Sequence, residues 1–154
     1  AGHEYLMIYK QDQKKCFKIK SGWVALGMAK NIHKIIKERE IAFEPNDVII
    51  LYSDGITEAI NQSKKDGNES MFGEEMLIRA IEEAPNIGPH KLKTARSIFK
   101  NISIQLSQFM GYKHVQLDDI TLLTIQYKSP SYNSADDCSE EMHEDFITEW
   151  KWEK

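Results

Sequence analysis

The sequence has few of the features that mark secreted, membrane-spanning or thiolate-metal proteins. It contains two cysteines, Cys16 and Cys138, which are too few for a disulfide framework and lack the close spacing of metal ligands. No apolar run approaches the roughly 20 residues that cross a bilayer, and no signal-peptide pattern opens the chain. We therefore expect a cytoplasmic protein without a membrane segment.

An excess of basic residues is also missing. The 154 residues include 20 Lys and Arg against 24 Asp and Glu, which gives a formal net charge of −4. Residues 128–154 carry this negative charge, and residues 1–127 are nearly neutral. Nucleic-acid binding needs a basic stripe that this sequence lacks, so we expect no nucleic-acid partner. The composition of residues 128–154 is typical of an acidic tail or linker.

Hydrophobic residues make up 41% of the chain, enough for one packed domain. Alternation of apolar residues predicts strands, and three- or four-residue spacing predicts helices. The predicted elements are a hairpin over 4–10 and 16–20, a turn at 45–47, a strand over 48–52 buried on both faces, a strand over 120–127, and helices over 74–84 and 90–110. Residues 28–40 remain ambiguous between helix and strand, and residues 61–70 are expected to form a mobile surface loop. The predicted fold class is α+β, with antiparallel strands and both helices on one sheet face.

Two acidic sites lie at the ends of predicted strands. Asp54 follows the strand over 48–52, with Gly55 allowing a sharp turn, and Asp118 and Asp119 precede the strand over 120–127. If these strands are neighbours, Asp54 and Asp118 could bind one Mg²⁺ or Mn²⁺, because oxygen ligands favour hard cations. Aspartates at strand ends also form turns, so the spacing alone leaves both interpretations open.

Four motifs occur in order along the chain. They are Ala1-Gly2-His3, residues 43–61 with Ser53-Asp54-Gly55 at their centre, Phe72-Gly73-Glu74-Glu75, and Asp118-Asp119-Ile120-Thr121-Leu122-Leu123. Together they resemble the signature motifs of SpoIIE-like serine phosphatases, the bacterial branch of the metal-dependent (protein phosphatase 2C-type) family. The pair Leu26-Gly27 also falls where that family has a Leu-Gly pair. The resemblance covers roughly residues 1–127.

The resemblance implies an α/β/β/α phosphatase sandwich with metal between two antiparallel sheets. It implies hydrolysis of phosphoserine or phosphothreonine by a metal-activated water, with no catalytic side chain and no phosphoenzyme. Asp54 and Asp118 match ligands of the family's binuclear Mn²⁺ or Mg²⁺ site. The remaining positions expected beside those ligands are Gly55, Glu58, Asp119, Thr121 and His3.

The sequence also departs from the family pattern. Glu4 replaces the Pro usual after Ala-Gly-His, and Asn46 replaces the Gly of Pro-Gly-Asp. The family's Gly-Asp-x-x-Gly-His-Gly-like motif, which supplies a bridging carboxylate, is missing from this sequence. We therefore expect residues 1–127 to be the C-terminal part of a phosphatase domain, and the chain alone to bind metal weakly and to be a very poor phosphatase.

Three functional interpretations remain open. The first is dephosphorylation of a bacterial signalling protein, which by family resemblance is an anti-sigma-factor antagonist or another signalling protein. The second is a non-catalytic regulatory or dimerisation module. A partial sandwich would leave sheet edges and apolar faces uncovered, which favours either a homodimer or docking of residues 146–152 on those surfaces. The third is another metal hydrolase with the same Asp-Gly turn.

Overall fold

The computed structural model describes residues 4–20, 40–61, 70–87, 91–111 and 118–128. The predictions for the Ala-Gly-His motif, the Leu26-Gly27 pair, most of segment 28–40, residues 62–69 of the predicted loop and the tail from residue 129 lie outside these residues. The two end residues of that predicted loop, Asn61 and Ser70, lie in short strands instead.

A four-stranded antiparallel sheet forms the centre of the described structure. Its strands are β1 (Leu6–Lys10), β2 (Lys15–Ile19), β3 (Val48–Tyr52) and β6 (Leu122–Gln126), in the order β2-β1-β3-β6. Two short strands, β4 (Ile60–Asn61) and β5 (Ser70–Met71), pair separately. The helices are α1 (Asp54–Thr57), α2 (Gly73–Glu82) and α3 (Ala95–Met110). The predicted α+β class with antiparallel strands is confirmed.

The β1–β2 hairpin forms where the sequence alternates. Its register pairs Ile8 with Phe17 and Lys10 with Lys15, so the connecting loop has one residue fewer than the predicted five. Lys14 completes the loop with a φ of 53°, in the left-handed region that tight hairpin loops often require. The predicted hairpin is therefore confirmed, and its loop is tighter than expected.

A buried carboxylate holds the turn that precedes β3. The amide of Asp47 donates to the Glu44 carbonyl at 3.1 Å, and Asn46 has a φ of 75°, as a type II turn with Pro45 at its second position requires. The Asp47 carboxylate accepts hydrogen bonds from Lys10 Nζ at 2.6 Å and from the amides of Gln11 and Glu44. Burial opposes its ionisation, but these donors outweigh burial and lower the pKa of Asp47. The predicted turn is confirmed.

Both long helices pack on one face of the sheet, as predicted. The β3 residues Val48, Ile50 and Tyr52 are buried there. The helical residues in the same core are Leu77, Ala80 and Ile81 of α2 and Ile98, Ile102, Leu106 and Met110 of α3. Because those of α3 recur every three or four residues, they place one helix face against the sheet. No helix in the described part of the chain is long and apolar enough to cross a membrane.

Helix α3 begins five residues later than the predicted start at residue 90. Thr94 is its N-cap, since Thr94 Oγ1 accepts from the Ser97 amide at 3.1 Å and the Thr94 amide donates to Ser97 Oγ at 3.0 Å. This reciprocal capping box fixes the first turn. Leu92 continues the apolar spacing, but it lies in a bridge with Ile87 instead of the helix. The prediction was therefore wrong at this boundary.

A buried lysine completes the end of α2. Lys93 Nζ donates to the carbonyl oxygen of Glu82, one of the last α2 carbonyls that a helix end leaves without an intrahelical partner, and to the carbonyl of Ala84 just beyond the helix. The ammonium also lies 5.6 Å from the centre of the Tyr9 ring. Burial lowers the pKa of Lys93, while the charges of Glu82 and Glu83 oppose that effect. The segment before α3 is thereby attached to α2 and to the sheet.

The second face of the sheet is also apolar but more open. A row of paired residues crosses all four strands: Phe17, Ile8, Ile49 and Ile125. Phe17 is 41% exposed and Ile125 is 44% exposed, whereas Ile8 is buried. On β3, Ile49 is only partly buried, because α2 and α3 cover the opposite face. The prediction that β3 is buried on both faces was therefore wrong for this face.

Candidate functional site

The pairing of β3 with β6 brings the two predicted acidic sites to one end of the sheet. The strands are antiparallel, and their last pair joins Tyr52 to Leu122. The chain leaves β3 at this end toward Asp54 and enters β6 from Asp118 at the same end. Two segments far apart in sequence thus form one acidic end of the sheet.

Ser53 connects these two segments through its hydroxyl group. Ser53 Oγ donates to the Asp119 carbonyl oxygen at 2.8 Å and accepts from the Thr121 amide at 2.9 Å. The Ser53 amide also donates to the Thr121 carbonyl at 3.0 Å. The three hydrogen bonds continue the β3–β6 pairing beyond the last paired residues and fix the acidic segments relative to each other.

Gly55 allows the closest approach between the segments. A β-carbon at this position would lie 2.5 Å from the Asp119 carbonyl oxygen and 3.2 Å from that of Asp118. Gly55 lies inside α1, so it is required for space and not for the sharp turn that the sequence predicted. The buried side chain of Ile56 and the partly buried Ile120 anchor the two segments in the core. The backbone of the site is therefore rigidly supported.

The three aspartates differ in what they contact. All three side chains are exposed to solvent. Asp118 Oδ1 accepts from the Asp119 amide at 2.7 Å, which orients the Asp118 carboxylate. Asp119 bonds to Ser53 through its backbone carbonyl, and Asp54 accepts through its backbone carbonyl from the Glu58 amide at 2.8 Å. The carboxylates of Asp54 and Asp118 thus emerge from one supported backbone.

The other predicted neighbours have mainly structural contacts. Glu58 is exposed and is the C-cap of α1. Thr121 is also exposed. Its backbone amide donates a hydrogen bond to Ser53 Oγ, and its carbonyl accepts one from the Ser53 amide. His3 lies outside the described residues.

The donor atoms at this end fit a hard divalent cation in kind but supply only part of a coordination shell. Carboxylate oxygens are the ligands that Mg²⁺ and Mn²⁺ prefer. Within the described ranges, however, no group of three or more His, Cys, Asp or Glu side chains is arranged to hold a metal. Asp54 and Asp118 are therefore the residues that would hold such an ion, and two carboxylates bind Mg²⁺ weakly.

Sequence reasoning identified the aspartates but missed Ser53. Its role depends on partners 66 and 68 residues further along the chain, which local patterns do not reveal. A hydroxyl residue directly between a buried strand and an acidic turn is the signal that could have found it.

Comparison with known proteins gives a family match and a structural match. The family model described as Stage II sporulation protein E (SpoIIE) matches residues 1–128. The structure is similar to the SiaA-PP2C domain of Pseudomonas aeruginosa, with a TM-score of 0.60 and 18% sequence identity. That similarity covers 80% of this chain and 43% of the SiaA chain. A search of curated proteins gave no match.

Proposed function

The chain belongs to the SpoIIE family, and on that premise we propose that it carries the metal-binding end of a phosphatase that hydrolyses phosphoserine or phosphothreonine. The similarity to the SiaA-PP2C domain supports the phosphatase-like fold. The chain spans less than half the length of that structure, so the reaction and its substrate are proposals for this chain.

The observation that carries the proposal is the meeting of Asp54 and Asp118 at one end of the β3–β6 pair. Asp54 and Asp118 would hold Mn²⁺ or Mg²⁺, and a bound ion of this kind supplies an activated water and neutralises phosphoryl oxygens. Ser53 and Gly55 hold the backbone from which both carboxylates emerge. A metal site requires ligand side chains that a rigid backbone holds in a fixed orientation.

The exposure of this end supports a macromolecular substrate. Asp54, Asp118 and Asp119 all face solvent at the rim of the sheet, where a phosphorylated segment of another protein has access. We propose a bacterial signalling protein of the anti-sigma-factor-antagonist class as that partner, on the basis of the motif resemblance. We also propose that the reaction takes place in the cytoplasm, where reduced thiols such as that of Cys16 are normal.

The test is hydrolysis of a phosphoserine peptide and of a fluorogenic aryl phosphate by the full chain, with and without Mn²⁺. We expect slow turnover that requires Mn²⁺ and falls by about 100-fold in Asp54→Asn and Asp118→Asn. Asp119→Asn is the matched control, because Asp119 contacts Ser53 through its backbone, and it should lose less than about 10-fold. Full activity in Asp54→Asn and Asp118→Asn would contradict the metal assignment.

A second candidate function is a dimerisation module, which the open apolar face favours. Leu123 is 49% exposed and lies two residues from Ile125 on the same face of β6, and Phe17 is exposed on that face of β2, at the opposite edge of the sheet. Apolar side chains grouped on one surface are typical of a protein interface. In this second proposal, a second copy of the chain binds that face and forms a homodimer. Sedimentation equilibrium tests it: Ile125→Lys should yield monomers. Ile104→Lys on α3, where Ile104 is equally exposed at 44%, should leave the dimer intact. A monomeric wild-type chain would exclude this candidate.

A further inference from the structure

Ser53 occupies a helix N-cap position but does not cap the helix. It precedes α1 with an extended backbone, at φ −92° and ψ 161°, and its side chain makes no capping hydrogen bond. Serine is favoured at N-caps because its oxygen accepts from the helix amides, so a serine that points elsewhere forgoes this stabilisation. Its hydroxyl instead forms hydrogen bonds with the segment that leads into β6.

The hydroxyl is fully engaged between two groups of that segment. It donates to the Asp119 carbonyl and accepts from the Thr121 amide, at 2.8 and 2.9 Å. These two backbone groups enclose Ile120, which is partly buried against the core. One side-chain oxygen therefore fixes the path of the backbone from Asp119 to Thr121.

That path determines where the Asp118 carboxylate lies. The Asp119 amide donates to Asp118 Oδ1 at 2.7 Å, and the Asp119 carbonyl accepts from Ser53 at its other end. Ser53 is directly bonded in sequence to Asp54. The geometry therefore links Asp54 to Asp118 through a single hydroxyl group and two peptide units.

We propose that Ser53 is the positioning residue for the cation ligands Asp54 and Asp118, setting their separation without touching the ion. This inference rests on the proposed metal function of these two aspartates. Residues that orient metal ligands typically contribute about 10–100-fold to affinity. The hydroxyl, and not merely the bulk of residue 53, should therefore control Mn²⁺ affinity.

The experiment compares the Ser53→Thr and Ser53→Val variants of the full chain. Threonine and valine have the same branched shape, both fit an extended backbone, and only threonine keeps the hydroxyl. Mn²⁺ is titrated into the ¹⁵N-labelled chain, and the paramagnetic broadening of the amide signals of Asp54 and Asp118 gives an apparent dissociation constant. Thermal unfolding without metal is measured in parallel. Thr94→Ala is the matched control, because it removes a hydroxyl hydrogen bond at α3.

We expect Ser53→Thr to bind Mn²⁺ within about 3-fold of the wild-type chain and Ser53→Val to bind about 10-fold or more weakly. Thr94→Ala should lower thermal stability with Mn²⁺ affinity unchanged, which separates positioning from general stabilisation. Equal Mn²⁺ affinity in Ser53→Val and the wild-type chain would overturn the role of Ser53 alone. A wild-type chain without broadening at Asp54 and Asp118 would overturn the proposed metal function and this inference with it.

Discussion

Gly55 lies against the backbone of Asp119, with room for a hydrogen atom but not for a β-carbon. The added carbon of an alanine would lie 2.5 Å from the Asp119 carbonyl oxygen, well inside van der Waals contact. The three nearest atoms all belong to the backbone of Asp118 and Asp119, so no flexible side chain could move away to make room. Only glycine at position 55 therefore lets the backbone of Asp118 and Asp119, just before β6, lie this close.

Replacing Gly55 with alanine should therefore separate the two segments and destabilise the fold by about 2–4 kcal/mol, in the range of overpacked and strained sites. Urea unfolding measures the change. Gly73→Ala is the control: a β-carbon there meets nothing within 4 Å, although Gly73 has a φ of 71°. It should cost only about 1–2 kcal/mol, from left-handed strain. Equal costs at the two positions would contradict the steric explanation.

Asp47→Asn should remove a pH-dependent part of the stability. The pKa of Asp47 is lowered from its usual 3.8, since its three donors outweigh burial, so folding favours the carboxylate. The stabilisation is complete above pH 3.8 and is lost as the pH falls through the lower pKa of the folded state.

We expect Asp47→Asn to cost about 2–4 kcal/mol at neutral pH, because Lys10 loses its charged partner. The difference from the wild-type chain should shrink as the pH is lowered below about 4. Urea unfolding at several pH values measures this difference. The exposed Asp12→Asn control should change stability by less than about 0.5 kcal/mol at neutral pH. If Asp47→Asn lowers the free energy of unfolding by the same amount at neutral and at acidic pH, the ionised Asp47 carboxylate is not the source of the stabilisation.

The thiol of Cys16 should react slowly in the folded chain. Burial, followed by the charge of Glu82, raises its pKa from 9.0 to about 12. Since the thiolate is the reactive form, alkylation below pH 9 should be about 1,000-fold slower than in the unfolded chain. A Cys138→Ser background isolates this thiol, and iodoacetamide labelling with and without guanidinium measures it. Similar rates in the two states would show that Cys16 is accessible.

The same pKa shift predicts a loss of stability in alkali. The folded state keeps the Cys16 proton at pH values where the unfolded chain has lost it, so this contribution is complete below pH 9 and declines toward pH 12. Cys16→Ala should weaken the alkaline decline of the unfolding free energy. The decline should not vanish, because the pKa of Tyr9 is also raised by burial. An unchanged decline in Cys16→Ala would exclude the thiol as its source.

Thr94→Ala should lower stability by about 1 kcal/mol, the usual cost of losing an N-cap. The variant removes the acceptor of the Ser97 amide and leaves the first turn of α3 with an unpaired donor. Thermal or urea unfolding measures the loss. Ser107→Ala, at an exposed position later in α3, is the control and should change stability by less than about 0.5 kcal/mol. Equal effects would indicate that the capping box is not formed.

Local patterns in the sequence predicted the parts of the fold that depend on neighbouring residues. The hairpin followed from alternation, and the turn at Pro45 and Asn46 followed from their backbone preferences. The start of α3 could not be placed by periodicity, because Leu92 continues the apolar spacing while Thr94 and Ser97 set the boundary through hydrogen bonds. Capping, where present, decides a helix start more strongly than spacing does.

The candidate site could be predicted only in part, for a physical reason. Asp54 and Asp118 were identifiable because each adjoins a strand, and their motifs resemble those of a known family. The roles of Ser53 and Gly55 depend on backbone atoms of Asp119, which lie close only after β3 and β6 pair. Such contacts are properties of the tertiary structure, and no local spacing encodes them.

The distance in sequence between the two acidic segments also governs when the site can exist. Ser53 and Asp119 are 66 residues apart, and α2 and α3 lie between them. Closing a loop of that length costs about 4 kcal/mol of chain entropy, which is recovered only when the intervening helices have packed. Folding that depends on such distant contacts is slow compared with hairpin or helix formation. A chain in which the hairpin and helices have formed but β3 and β6 have not paired therefore still holds the carboxylates of Asp54 and Asp118 apart.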